Sequence, residues 1–508
     1  MLPVFCLVAG ITFLLYLPSL WSDFVYDAEA QILIGDYIHN PSNFIEVVTF
    51  QVMGKDVLDF NRPVQLFSLM LDSLVWGKWA VGYHLTSNIL HACNAGLLAL
   101  LILRFLPKTT DGANRLVAGL CALVFAFHPV LVEAVAEISY REDVLATGFV
   151  LLALLAGEFF ACSRGVKTFI LGNGVVVAVW LACASKETGV VTPLLLLALA
   201  FIFHREQVWR RWGVLILAVC VVTVCFLFVR FVLESETSII FTNPPRYLGG
   251  SLGMVFEIQP RLWVFLIKII FWPFGLSADY TPQNVIWITL SWAIFWLFVV
   301  LVAQILLARK SRLAAFGSVI FWLGLVPVSN FLPMYRPLAD RFLYLPMLGV
   351  AFMLAGVLTL WDSRSVGRKV ASCVVIVALI FLGGLSIQRQ SVFSSSLALW
   401  QDTVTKSPTS YTANFNLSYA LRKAGDSMAA LSSLRAAQKT LKSENADILA
   451  AQAFIYEDLG KQQKAEEALR RAVSLDHRYE RPDELVEALV MTQEDAATME
   501  KILLRLKK

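Results

Sequence analysis

The chemically capable residues nearest the start of the chain lie in one polar stretch, Asp23-Phe24-Val25-Tyr26-Asp27-Ala28-Glu29, directly after the first apolar run. Carboxylates beside a membrane span are costly to keep unless they do something. Of two such groups one residue apart, one can take a proton from an acceptor hydroxyl while the other orients it or holds a cation. The alternative for either is a helix cap or a solvated loop charge. A second set is cationic and recurs at the ends of apolar runs: Arg62 in Asn61-Arg62-Pro63, Arg141 in Tyr140-Arg141-Glu142-Asp143, Lys186 before Glu187, Arg336 in Tyr335-Arg336-Pro337, and Arg341 after Asp340. Arginine offers paired donors that match a phosphate, so these residues suit a lipid-linked phosphate; the alternative is snorkelling to headgroups or pairing with Glu142, Asp143 and Asp340. Asp279-Tyr280 suits sugar hydroxyls or an interfacial turn. His128, His84 and His91 read as core hydrogen-bonding groups.

The elements that must position these groups are apolar helices. Of 508 residues, 58% are hydrophobic and 16% charged, against about 25% charged in soluble domains, and the mean hydropathy is +0.67. The chain reads as a polytopic membrane protein. A net charge of +4, distributed over short loops, excludes a nucleic-acid footprint. Eight cysteines fall mostly within apolar runs and show no metal-ligand spacing. The first run lacks a basic leader and a small-residue cleavage site, so it reads as a retained span. No Gly-rich phosphate loop, Walker sequence, His-Glu-x-x-His motif or nucleophile elbow is present.

Segments 2–20, 84–106, 116–136, 144–162, 168–184, 188–203, 213–233, 286–308, 315–332, 342–361 and 370–388 are each long and apolar enough to read as spans. The basic loops Lys108 to Arg115, Arg164 to Lys167, Arg205 to Arg211, Arg309 to Arg312 and Arg364 to Lys369 share the cytoplasmic side only if one of the three segments between Arg211 and Arg309 fails to cross. Segment 252–275, with Arg261, Lys268 and two prolines, is the weakest and is expected to be interfacial or re-entrant. About eleven spans remain, with Asp27, Arg62, Arg141, Lys186, Asp279 and Arg341 on the outer face. The outer loop 21–83 contains two amphipathic pieces, Phe44 to Met53 and Val64 to Trp79, suited to lying on the membrane surface. From residue 389 the composition becomes rich in Ala, Ser, Lys and Glu, with a 35-residue period that aligns Gly425 with Gly460, Ala430 with Ala465, Leu434 with Leu469 and Ala437 with Ala472. Such a repeat predicts tetratricopeptide-like helix pairs over 389–508, outside the cytoplasm, following a membrane domain over 1–388.

With these residues in place, the chain resembles the GT-C superfamily of polyprenyl-phosphate-sugar-dependent glycosyltransferases. More closely, it resembles the transmembrane O-mannosyltransferases with C-terminal tetratricopeptide repeats. The matching stretches are Asp23-Phe24-Val25-Tyr26-Asp27, Arg62-Pro63, Tyr83-His84-Leu85 with Asn88 and His91, Phe125-Ala126-Phe127-His128-Pro129 with Glu133, Arg141-Glu142-Asp143, Lys186-Glu187, Ser277-Ala278-Asp279-Tyr280, and Arg341-Phe342-Leu343-Tyr344-Leu345-Pro346. They cover nearly the whole chain. The resemblance implies an all-α polytopic fold and inverting transfer of a hexose, mannose first, from a polyprenyl-phosphate donor to Ser/Thr hydroxyls of a protein. Asp27 matches the first acid of the family's pair. Ala28 replaces the second, leaving Glu29 as its candidate substitute. Arg62, Arg141, Lys186, Arg336 and Arg341 would hold the donor phosphate, and Glu142, Asp143, Asp279, Tyr280 and Tyr344 the substrates. No cofactor or metal is implied, although a divalent cation is compatible with the carboxylates. The partners implied are the lipid donor, an acceptor protein recruited by the repeats, and membrane lipid. The expected location is a bacterial inner membrane with a periplasmic site, or alternatively the endoplasmic reticulum with a lumenal one. Two other readings fit the same residues: transfer to a lipid or envelope glycan, and a non-catalytic membrane scaffold presenting repeats.

Overall fold

A computed structural model describes residues 1–55, 57–106, 112–234, 247–362, 365–487 and 492–507. Lys108 and Arg364, at the ends of two of the basic loops, lie outside the described residues. Among those residues every regular element is helical. Six helices are long and apolar enough to cross a membrane: Ala80–Phe105, Ile138–Cys162, Val166–Ser185, Arg210–Arg230, Leu290–Lys310 and Val366–Val392. The 26 residues of Ala80–Phe105, at about 1.5 Å per residue, exceed a bilayer core of about 30 Å.

The other expected spans are broken or shortened, for local reasons. Pro129 cannot continue a helix, so Ala113–Ala126 and Pro129–Ala136 meet at 53° and count as a seventh span only if taken together. The His128 side chain bridges the break, accepting from Val130 N–H through Nδ1 and meeting the Ile270 carbonyl through Nε2 at 2.8 Å. Leu2–Leu15, Glu187–Phe203, Arg312–Val328 and Pro346–Leu358 are apolar but shorter. Pro346 starts the last of these after a tight turn, Asp340–Leu343. Leu252–Phe271 is a 20-residue helix carrying Pro260, Arg261 and Lys268, and it is not among the helices apolar enough to cross. The two amphipathic pieces of the outer loop contain the helices Phe44–Val48 and Pro63–Trp76.

The chain divides into two compact units. The first comprises Met1–Ser22, Tyr37–Phe274 and Ile288–Ser391, and holds all the apolar helices above. Its pairing of Arg312–Leu325 against Pro346–Leu358 depends on facing glycines. A Cβ on Gly317 would stand 2.5 Å from the Gly349 carbonyl oxygen and 2.7 Å from Met353 N, and one on Gly349 would meet the Gly317 carbonyl in turn. Small residues are what allow helix backbones to approach this closely in lipid.

The second unit gathers Asp23–Asp36, Gly275–Trp287 and Val392–Lys508. Within it, the hairpin Tyr411–Lys423/Ser427–Lys439 is followed by Ala446–Asp458/Gln462–Leu475 in the same arrangement. Gly425 and Gly460 make the equivalent turns with φ of 86° and 69°, a backbone state that favours glycine. Ala430, Leu434 and Ala437, and their counterparts Ala465, Leu469 and Ala472, are all fully buried. Gln493–Leu506 closes the end of the stack with Met499 and Ile502. Arg422 ties the layers together by pairing with Asp458 at 2.6 Å and Asp495 at 2.5 Å.

Gly349→Val is expected to force the glycine-faced helices apart and to lower stability by about 1–3 kcal/mol, read as a fall in the melting temperature of detergent-solubilised protein; an unchanged melting curve would contradict the close packing.

Candidate active site

Arg141 opens the helix Arg141–Cys162 and is completely buried. Its Nε donates to Ser87 Oγ at 3.0 Å, one terminal nitrogen donates to Ser68 Oγ at 2.9 Å and forms an ion pair with Asp72 at 2.6 Å, and the other donates to the Tyr83 carbonyl at 2.8 Å. Each nitrogen of the guanidinium is therefore engaged by the helices Pro63–Trp76 and Ala80–Phe105. This geometry gives Arg141 an architectural role.

The next two residues face other partners. Buried Glu142 accepts from Arg62 at 2.7 Å and from Lys186 at 3.0 Å, and Asp143 accepts from Lys186 at 2.5 Å. Arg62 also pairs with Asp59 at 2.7 Å and lies 3.6 Å from Glu187, which in turn binds Arg230 at 2.8 Å. Burial opposes the charge on Arg62, but Glu142, Glu187 and Asp59 outweigh it and hold its pKa above the ordinary guanidinium value. Nearby, both carboxylate oxygens of Glu133 clamp Arg341, one on its backbone N–H at 2.9 Å and the other on its guanidinium at 2.6 Å. The same guanidinium lies over the Tyr140 ring at 3.7 Å. Thus Arg62, Lys186, Glu142 and Asp143 form one set of interlocked pairs, and Arg341 is held by Glu133 and the Tyr140 ring. Asp59 and Arg230, which join this set, and Asp72, the partner of Arg141, were not singled out by sequence reasoning. Asp72 and Arg230 carried a signal, being charges within otherwise apolar runs.

Arg336 is half-buried in the turn before Asp340–Leu343. Asp340 pairs with Arg389 at 3.3 Å. Tyr344 is fully buried, its hydroxyl 2.7 Å from His91 Nδ1 and accepting from Asn94 at 3.3 Å. That environment is bundle core, and the polar contacts of Tyr344 there are with side chains of the helix Ala80–Phe105.

Asp27 and Glu29 lie in the second unit. Tyr26 has φ of 55°, a left-handed conformation that costs a non-glycine residue about 1–3 kcal/mol and is typical of constrained functional turns. Phe24, Val25 and Ala28 are buried on either side, whereas Asp27 is exposed. A widened helical turn follows over Glu29–Ile34, closed by Gly35 N–H on the Ala30 carbonyl at 2.9 Å. Glu29 accepts from Ser396 Oγ at 2.5 Å, and Tyr26 meets Trp400 edge-on with centroids 5.0 Å apart. Asp279 accepts from Ser410, and the Tyr280 hydroxyl accepts from Ser277 N–H at 3.2 Å. The structure places both residues in a segment docked on the repeat helices. No group of three or more His, Cys, Asp or Glu side chains disposed to hold a metal occurs among the described residues.

With six or seven helices among the described residues long and apolar enough to cross a membrane, this is a multi-pass membrane protein. No family model matches it. It is homologous to proteins named protein O-mannosyl-transferase: one from Caenorhabditis elegans is 24% identical over 79% of this chain and 57% of its own length, human TMTC1 is 22% identical over 85% and 54%, and mouse TMTC2 is 31% identical over 53% and 34%. The chain thus spans about half the length of the first two of these relatives and about a third of the mouse protein. Among solved structures, ArnT from Cupriavidus metallidurans bound to undecaprenyl phosphate aligns over 91% of this chain and 79% of its own, with 13% identity and a TM-score of 0.42.

Replacing Arg141 by Met would leave Asp72 buried with Thr86 but without its counter-ion, so a loss of about 3–5 kcal/mol is expected. Asp72→Leu added to Arg141→Met is expected to restore part of the melting temperature. A pair of variants whose effects simply added would refute the coupling.

Proposed function

We propose that the protein is a membrane glycosyltransferase that moves a hexose, mannose in the first instance, from a polyprenyl-phosphate donor to Ser/Thr hydroxyls of a protein on the non-cytoplasmic face. The observation that carries this reading is the exposed carboxylate of Asp27, held between buried neighbours by a strained turn, in a homologue of proteins named O-mannosyl-transferases. In the proposed reaction Asp27 takes the acceptor hydroxyl proton as the oxygen attacks the anomeric carbon. The bond from that carbon to the phosphate oxygen breaks, the configuration inverts, and the polyprenyl phosphate departs with both bonding electrons. Phosphate is a good leaving group, so no acid opposite the base is needed.

The donor phosphate is assigned to Arg62, Lys186 and Arg341, with Arg336 at the margin; Glu142 and Asp143 fix the direction of these cations. Arg141 holds the helix on which that arrangement stands. The helical repeats recruit the acceptor polypeptide, and Asp279, Tyr280 and Glu29 order the segments next to them.

With purified protein in lipid nanodiscs, a short-chain polyprenyl-phosphate mannose and a Ser/Thr peptide, Asp27→Asn is expected to lower transfer by about 10²–10⁴-fold while donor binding persists. Arg62→Ala is expected to raise the KM for donor. Full transfer by Asp27→Asn would remove Asp27 as the base.

A further inference from the structure

Resting on the reading of Asp27 as the base, we propose that the helix Ser396–Lys406 of the repeat unit is part of the catalytic apparatus, with Ser396 acting through Glu29 and Trp400 through Tyr26 as positioning residues for the Asp27 carboxylate.

Three contacts bracket the base. Asp23 N–H donates to the Ser394 carbonyl at 3.0 Å, before the turn. The Tyr26 ring stands edge-on to Trp400 at 80° immediately before Asp27, and Glu29 is hydrogen-bonded by Ser396 two residues after it. Ser396 and Trp400 are four residues apart on one helix, so they present neighbouring side chains on one face. The Glu29 carboxylate therefore meets the first turn of that helix, where a negative charge is favoured. It also contributes to the electrostatic environment of Tyr419 and Lys423 on the next helix, Tyr411–Lys423. The left-handed Tyr26 is thus flanked by the Ser394 carbonyl holding Asp23 before it and the Ser396 side chain holding Glu29 after it, with the Trp400 ring against its own.

A second segment is tied to the other end of the same helix. Lys406 Nζ donates to the Leu276 carbonyl at 2.7 Å, Asn284 donates to the Lys406 carbonyl at 3.3 Å, and Ser410 donates to Asp279. The loop carrying the base, the segment carrying Asp279 and the first repeat helices consequently belong to one body. An acceptor polypeptide gripped by the repeats would meet a base whose position is set by those same repeats, which is how binding remote from the reacting atoms becomes orientation at them.

The test uses the full-length protein in nanodiscs, with short-chain polyprenyl-phosphate mannose and a Ser/Thr peptide. Ser396→Ala and Glu29→Gln are each expected to lower kcat by about 100-fold while the peptide KM stays within about twofold, and Ser396→Thr is expected to restore kcat. Hydrogen exchange of amides 24–34 should speed up about tenfold in both variants, with amides 411–475 unchanged. Glu29→Gln leaves the repeat helices intact, so it decides the matter if Ser396→Ala loosens them. If Asp27→Asn is inactive but Glu29→Gln and Ser396→Ala keep full kcat, the positioning role is wrong and the base survives. If only KM rises, the repeats merely bind the acceptor and the proposal falls. If Asp27→Asn is active, the base reading fails, and unchanged exchange at 24–34 would then also refute the tether.

Discussion

The buried guanidinium of Arg141 is the constraint on which one end of the helical bundle depends. A cation removed from water is tolerable only if every donor finds a partner and the charge finds a counter-ion. Asp72, Ser68, Ser87 and the Tyr83 carbonyl meet that demand together. Because Arg141 begins its helix, anchoring it sets the rotation of the first turn. Successive residues advance by about 100°, so Glu142 and Asp143 are aimed at Arg62 and Lys186 and not at Asp72. One satisfied arginine thereby determines where two carboxylates, and through them two further cations, can be.

Charge balance then shapes what the site can bind. The cations Arg62, Lys186, Arg230 and Arg341 are each paired with at least one of Asp59, Glu133, Glu142, Asp143 and Glu187. A phosphate cannot simply add to such a set. On the proposed assignment a donor phosphate would have to exchange with a carboxylate or share a cation, and Arg62 is the most accessible of the three assigned cations, its side chain 22% exposed against 6% for Lys186 and 10% for Arg341. Internal carboxylates also keep the cations extended and pre-oriented, so that a bound anion gains their field without the entropy of gathering them.

Much of this architecture was legible in the sequence, because apolar length and a 35-residue period are signals that survive without tertiary information. The helix breaks at Pro129 and Pro346 were visible as prolines, but each lay inside a run apolar enough to read as continuous. The distinction between Arg141 and Arg62 could not be read. Both are arginines at helix starts beside acids, and what separates them is Asp72, a partner 69 residues from Arg141. Nor could the assignment of 23–36 and 275–287 to the repeat unit be foreseen. It depends on serines 396, 407 and 410 and on backbone carbonyls, small polar groups whose pairing leaves no periodic trace.

The alanine between the two acids has a physical reason in this turn. Ala28 is fully buried, as are Val25 and Ile32, so its Cβ lies in the packed side of the segment. A carboxylate there would be desolvated and would need its own partner. Asp27, on the other side of the same turn, is exposed. The turn therefore separates a packed side, which carries the Ala28 methyl, from an exposed side, which carries Asp27. Glu29, one position further, returns to the protein and is met by Ser396. The spacing Asp-Ala-Glu then corresponds to an exposed acid, a packed methyl and an acid met by Ser396, whereas an adjacent pair of carboxylates in the same turn would bury one of them.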